Sequence, residues 1–128
     1  MRNVYVVDDY RFENDELYFS LNKNHSKIQI QPAGQVLTDS DELAFIYVVE
    51  EDNEYSYLQF PKKVWRALVE MIKKKKDSIL ILDNESILLH NFSNELEMLI
   101  YNIEGNGNYG DEFVQAVEET FREILEAQ

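Results

Sequence analysis

Residues 43–49, LAFIYVV, are seven successive apolar or aromatic side chains, and they limit the fold more than any other stretch of the chain. β-branched and aromatic types dominate, DSDE precedes the run at 39–42, and EEDNE follows it at 50–54. A short apolar run between polar turn signals reads as a strand buried on both faces, here taken as the central one. Placing a loop at 51–54 then pairs Phe45 with Phe60, Tyr47 with Leu58 and Val49 with Ser56 on one face. The other face carries Ala44, Ile46 and Val48 beside Tyr55, Tyr57 and Gln59, apolar but tipped with tyrosine hydroxyls.

Upstream, Val4, Val6, Tyr10 and Phe12 alternate with mostly polar neighbours, as do Leu17, Phe19 and Leu21 after a polar loop at 13–16. This predicts a hairpin pairing Phe12 with Leu17, Tyr10 with Phe19 and Asp8 with Leu21, with Asp9, Arg11, Tyr18 and Ser20 on the wet side. Ile28 and Ile30 alternate with polar residues until Pro32, Ala33 and Gly34 break the pattern, a segment that reads equally as strand or irregular chain.

Downstream, Pro61 at a first helical position opens a helix over residues 62–75, with Val64, Trp65, Leu68, Met71 and Ile72 in one stripe. Residues 79–82 and 87–89 form another hairpin around 83–86. A second helix follows from a Ser93 N-cap, with Phe92, Leu96, Leu99, Ile100 and Ile103 apolar and Glu95 and Glu97 in its first turn. The last helix starts near Asp111 and buries Phe113, Val114, Val117, Phe121, Ile124 and Leu125. The expected architecture is α+β: one domain over residues 1–128, an antiparallel sheet of five to seven strands, and three helices mainly on one of its faces.

A chain of 128 residues buries enough surface to fold without staples, and zero cysteines exclude a disulfide framework, Cys-based zinc sites and thiol chemistry. No leader-like apolar segment follows the start and no stretch is long enough to span a membrane, so a cytoplasmic protein is expected. The formal net charge of −13 repels nucleic acid and anionic membranes, and neither is an expected partner. The acid either keeps the surface solvated, the ordinary role, or mimics a nucleic-acid backbone as a decoy for a basic protein.

The local signals for chemistry are weak. Asp39, Asp41 and Glu42 resemble the opening of a calcium loop, but the turn glycine and the distal glutamate are missing, so they are read first as a turn whose side chains bond their own backbone. They remain the candidate polar site for a small-ligand or metal-dependent enzyme. His25 stands among polar residues without a ligand-spaced partner, and His90 is assigned a local hydrogen bond. Lys73 to Lys76 fall at a helix C-terminus, where cations are favoured, and a phosphate patch is the minor reading. Gly105 to Gly110 match G-x-G-x-x-G, yet the fingerprint needs a preceding strand and a βαβ unit; here it reads as a helix C-cap and an inter-helix connection using left-handed glycine and asparagine. No catalytic, cofactor-binding or metal residue is assigned.

Two stretches carry a resemblance: residues 34–47, GQVLTDSDELAFIY, and residues 102–113, NIEGNGNYGDEF, continuing into VEETF at 117–121. They resemble the YjbL-like proteins, a small family of uncharacterised bacterial proteins, over most of the chain, with the N-terminal region up to about Gln31 the least similar. The resemblance implies a small cytosolic protein and supplies no catalytic residues. The expected function is therefore a non-enzymatic binding or adaptor role through a protein partner or self-association. Its candidate interaction face is Ile46, Val48, Tyr55 and Tyr57, which is core instead if helices cover it.

Overall fold

The computed structural model describes residues 3–22, 28–83 and 85–127. Among them, seven strands make one sheet: β1 (Val4–Glu13), β2 (Glu16–Leu21), β3 (Gln31–Asp39), β4 (Ala44–Glu51), β5 (Glu54–Pro61), β6 (Ile79–Leu82) and β7 (Glu85–Leu88). Their spatial order is β3-β4-β5-β1-β2-β6-β7. The helices are α1 (Trp65–Lys74), α2 (Phe92–Ile103), α3 (Asp111–Thr120) and α4 (Arg122–Glu126), with 3-10 turns at Lys62–Val64 and Gly107–Tyr109.

The β4–β5 hairpin has the expected register, Phe45 opposite Phe60, Tyr47 opposite Leu58 and Val49 opposite Ser56. Ala44 to Val49 are all buried, so the two-faced burial of β4 holds. Its position does not: β4 lies one strand in from the β3 edge, and β1 is at the centre. The sheet is also mixed rather than antiparallel. Each hairpin is antiparallel, but β1 pairs with β5 in parallel, Tyr5 opposite Leu58, and β2 pairs with β6 in parallel, Phe19 opposite Leu80. Alternation and turn signals dictate pairing within a hairpin and carry nothing about how hairpins join.

In β1–β2, Phe12 meets Leu17 and Tyr10 meets Phe19 as expected, but Leu21 meets Val7, with a register shift between Val7 and Asp9. The additional residue is a bulge, which reverses the phase of the strand. Before it Tyr5 and Val7 are buried and Val4 is exposed; after it Tyr10 packs against the core. β3 runs through Pro32 to Gly34 with an irregular register, which an edge strand tolerates because a proline there breaks no ladder on its free side.

The expected last helix is two. It breaks at Phe121 (φ −100°, ψ 23°), whose ring lies 5.9 Å from both Phe45 and Trp65. Nor is Ser93 the cap of α2. The helix follows Asn91, and Asp77, from the link between α1 and β6, accepts from the amides of Asn91 (Oδ2, 3.0 Å) and Ser93 (Oδ1, 2.9 Å). A carboxylate at a helix N-terminus satisfies amides that would otherwise lack partners.

The helices fill the concave side of the sheet. Phe45 meets Trp65 of α1 at 5.0 Å and Phe113 of α3 at 5.6 Å, while Phe60 meets Phe92 of α2 at 4.8 Å. The curl brings the β3 and β7 edges near each other, and the loop after β7 fastens to β3. His90 Nε2 lies 3.2 Å from the Pro32 carbonyl, and the buried Tyr47 hydroxyl donates to the His90 carbonyl at 2.8 Å. Burial, first, pushes the Tyr47 phenol pKa upward, and the Gly34 backbone bond partly opposes it. Gly34 sits at φ +79°, where a Cβ would lie 2.8 Å from His90 Cε1, so both backbone and space require glycine.

Candidate functional site

The convex side of the sheet is the face opposite these helices. By register it carries Leu37 on β3, Ala44, Ile46 and Val48 on β4, Tyr55, Tyr57 and Gln59 on β5, and Val4 and Val6 on β1. Ile46 (5% exposed) and Val48 (3%) are buried, yet they stand outside the cluster into which the helices pack. Ile46 lies between Leu37 and Gln59, and Val48 is paired with Tyr57, itself beside Val4. The accessible part is aromatic and aliphatic: Tyr55 is 49% exposed, Val4 is 51% exposed, and Leu37, Val6 and Tyr57 are half-buried. A tyrosine on such a face offers a flat apolar ring with a hydroxyl at its rim, which suits protein contacts.

Asp39, Asp41 and Glu42 do not converge. Asp39 Oδ1 accepts from the Glu42 amide at 3.3 Å and Oδ2 from Gln59 Nε2 at 3.4 Å, so Asp39 shapes its own turn and ties it to β5. Asp41 instead lines a groove with Ser40 and the start of α3, where Tyr109, Asp111 and Glu112 are its neighbours. The two segments that carry the family resemblance thus meet there, which nothing in the local spacing of either foretells. Among the described residues, no three His, Cys, Asp or Glu side chains are grouped to hold a metal ion.

At the far end of β4, Glu51 accepts from Asn3 (2.9 Å), Tyr5 (2.7 Å) and Ser56 (2.9 Å). Burial, aided by the bond to Glu51, pushes the Tyr5 phenol up to about 12. No motif pointed to this cluster; only the fold brings Tyr5 to the end of β4. Three of the four successive lysines are held by carboxylates: Lys73 by Glu123 (2.8 Å), Lys74 by Asp15 (2.7 Å) and Lys76 by Glu16 (3.0 Å). Those bonds raise the pKa of Lys73 and lower those of Asp15 and Glu123.

The G-x-G-x-x-G stretch joins α2 to α3, with left-handed backbone at Gly105 (φ +68°) and Gly110 (φ +92°) but not at Asn106 (φ −105°). Asp111 and Glu112 occupy the first turn of α3, so the helix end nearest these glycines already carries negative charge. His25 lies outside the described residues. Among those residues, no helix is long and apolar enough to cross a membrane.

Comparison with known proteins gives this geometry a family and no reaction. UPF0738, described as a family of unknown function, matches residues 5–121. A UPF0738 protein of Lysinibacillus sphaericus is 53% identical over 125 residues, 98% of either chain. Relatives from Halalkalibacterium halodurans (38% identical, 94% of this chain and 99% of that one) and Staphylococcus haemolyticus (36%, 90% and 94%) bear the same family name. No solved structure matches the chain. With near full-length identity across bacterial relatives and a profile spanning the sheet and the helices to Phe121, this chain belongs to the UPF0738 family, whose function is unknown.

Proposed function

We propose that this protein is a non-enzymatic binding protein of the cytoplasm that acts through protein contacts on the convex face of its sheet, with Tyr55 and Tyr57 as anchors. The observation that carries the reading is the division of β5. Ser56, Leu58 and Phe60 are buried, whereas the alternate Tyr55 and Tyr57 share the other face with Val4 and remain exposed or half-buried. Ile46 and Val48 support the tyrosines from below and contribute little accessible surface themselves. Nucleic acid and anionic membranes fall outside the range of a chain with a net charge of −13. The carboxylate-enzyme alternative is weakened because Asp39 is engaged in its own turn and Asp41 faces another groove. We also take the YjbL-like proteins and this family to be one group, since both resembling segments fall within the matched residues 5–121.

The test compares capture from a bacterial lysate by the native protein and by the double variant Tyr55→Thr, Tyr57→Thr, which removes the rings and keeps strand-favouring side chains. A protein retained by the first and lost from a variant that still folds supports the face. Identical capture by both refutes it.

A further inference from the structure

We propose, resting on the convex face as the contact surface, that its partner is a protein surface with an apolar centre and a lysine- or arginine-bearing rim. The argument is charge complementarity. Residues 28–61, which build β3, β4 and β5, contain no lysine or arginine. At the Tyr55 end the carboxylates gather: Glu50 is Tyr55's partner in the register, Asp52 lies in the turn, and Glu54 begins β5, all three exposed. At the other end of the hairpin, Asp39 shares the register row of Ala44 and Pro61.

Among the described residues, the cations lie outside these three strands. Most of the described ones belong to residues 62–76, and there Lys63 is held by Asp8, Arg66 by Glu123 at 3.0 Å, and Lys73, Lys74 and Lys76 by the carboxylates named above. An apolar centre bordered at its Tyr55 end by exposed carboxylates selects the opposite charge there, because like charges brought together at an interface cost affinity and opposite charges speed encounter. A second copy meets this demand poorly. Its convex face brings the same carboxylates, and each chain carries a net charge of −13.

Two synthetic amphipathic peptides with one apolar stripe, rimmed by lysine and arginine in one and by glutamate in the other, serve as probes of the full chain by fluorescence anisotropy. The cationic peptide is expected to bind and the acidic one not. Its binding should weaken roughly tenfold or more between low and high salt, as charge-steered contacts do. It should also weaken in the triple variant Glu50→Gln, Asp52→Asn, Glu54→Gln. Asp52 has a positive φ, which asparagine tolerates, so the turn is kept. Binding should be lost in Tyr55→Thr, Tyr57→Thr. Equal binding of both peptides, lost with the tyrosines, keeps the face but overturns the basic partner. Cationic binding that survives loss of the tyrosines overturns the face as well. A failure to bind the cationic peptide overturns the inference, as does a dimer in light scattering that the tyrosine variant dissociates.

Discussion

The two faces of β5 are built from alternate residues of one short segment and lie in different surroundings. Phe60 lies 5.0 Å from Phe19 and 4.8 Å from Phe92, inside the helix-packed core, while Tyr55 on the same strand is half exposed on the side away from the helices. On β4 the contrast is hidden, because Phe45, Ile46, Tyr47 and Val48 are all buried. Burial by itself therefore does not tell which face packs against the helices. What separates them is which buried residues touch helices, and Ile46 and Val48 are not among the core cluster.

The comparison breaks first at its core side. Phe60→Ala should cost about 3–5 kcal/mol, the usual cost of emptying a buried aromatic site, read as a lowered urea midpoint at unchanged slope. A loss below about 1 kcal/mol would mean that the concave face is not the core.

Next comes the fastening of the sheet edge. Gly34→Ala places a methyl 2.8 Å from His90 Cε1 on left-handed backbone, and about 2–3 kcal/mol of destabilisation is expected from strain and displacement together. A double-mutant cycle with His90→Ala should return part of that loss, since the clash disappears and the backbone strain stays.

Much of this contrast was legible in the sequence. The β4–β5 register followed from a tight polar turn and strict alternation, so the pairs from Phe45–Phe60 to Val49–Ser56 could be written in advance. The Asp39 turn was legible too, from the habit of aspartate to bond its own backbone. The bulge in β1 was not, because Asp8 and Asp9 are both polar and neither marks where the phase reverses. β3 was missed: the alternation at Ile28 and Ile30 lies just before it, and Pro32 to Gly34 read as breakers that only an edge position makes acceptable in a strand. The parallel joins of β1 to β5 and β2 to β6, and the groove that Asp41 and Asp111 both line, depend on contacts far apart in the chain.

The cap of α2 is of the same long-range kind and smaller in effect. Asp77→Ala should cost about 1–2 kcal/mol, as loss of an N-terminal acceptor does, whereas Ser93→Ala should cost less because the Ser93 side chain does not cap the helix. Equal losses would return the cap to Ser93.

Alkali offers a gentler probe of the buried phenols. The Tyr5 pKa is raised from 10.0 to about 12, and that of Tyr47 is raised as well. A raised folded pKa means that the stability is fully present below pH 10 and is lost as pH climbs toward the folded value. Urea midpoints should accordingly be insensitive to these groups at neutral pH and fall above pH 10, with Tyr5→Phe showing a smaller fall. The same fall in Tyr5→Phe would assign it to other residues.

The claim that the convex face is a contact surface and not core is tested most directly by urea unfolding of Tyr55→Thr beside Leu58→Thr, residues of one strand that point to opposite faces. Tyr55→Thr should leave the unfolding free energy within about 0.5 kcal/mol of the native protein, the range of surface substitutions, whereas Leu58→Thr should lose several times more. Comparable losses in the two variants would show that the convex face is core, and would contradict both the contact surface and the partner inferred for it.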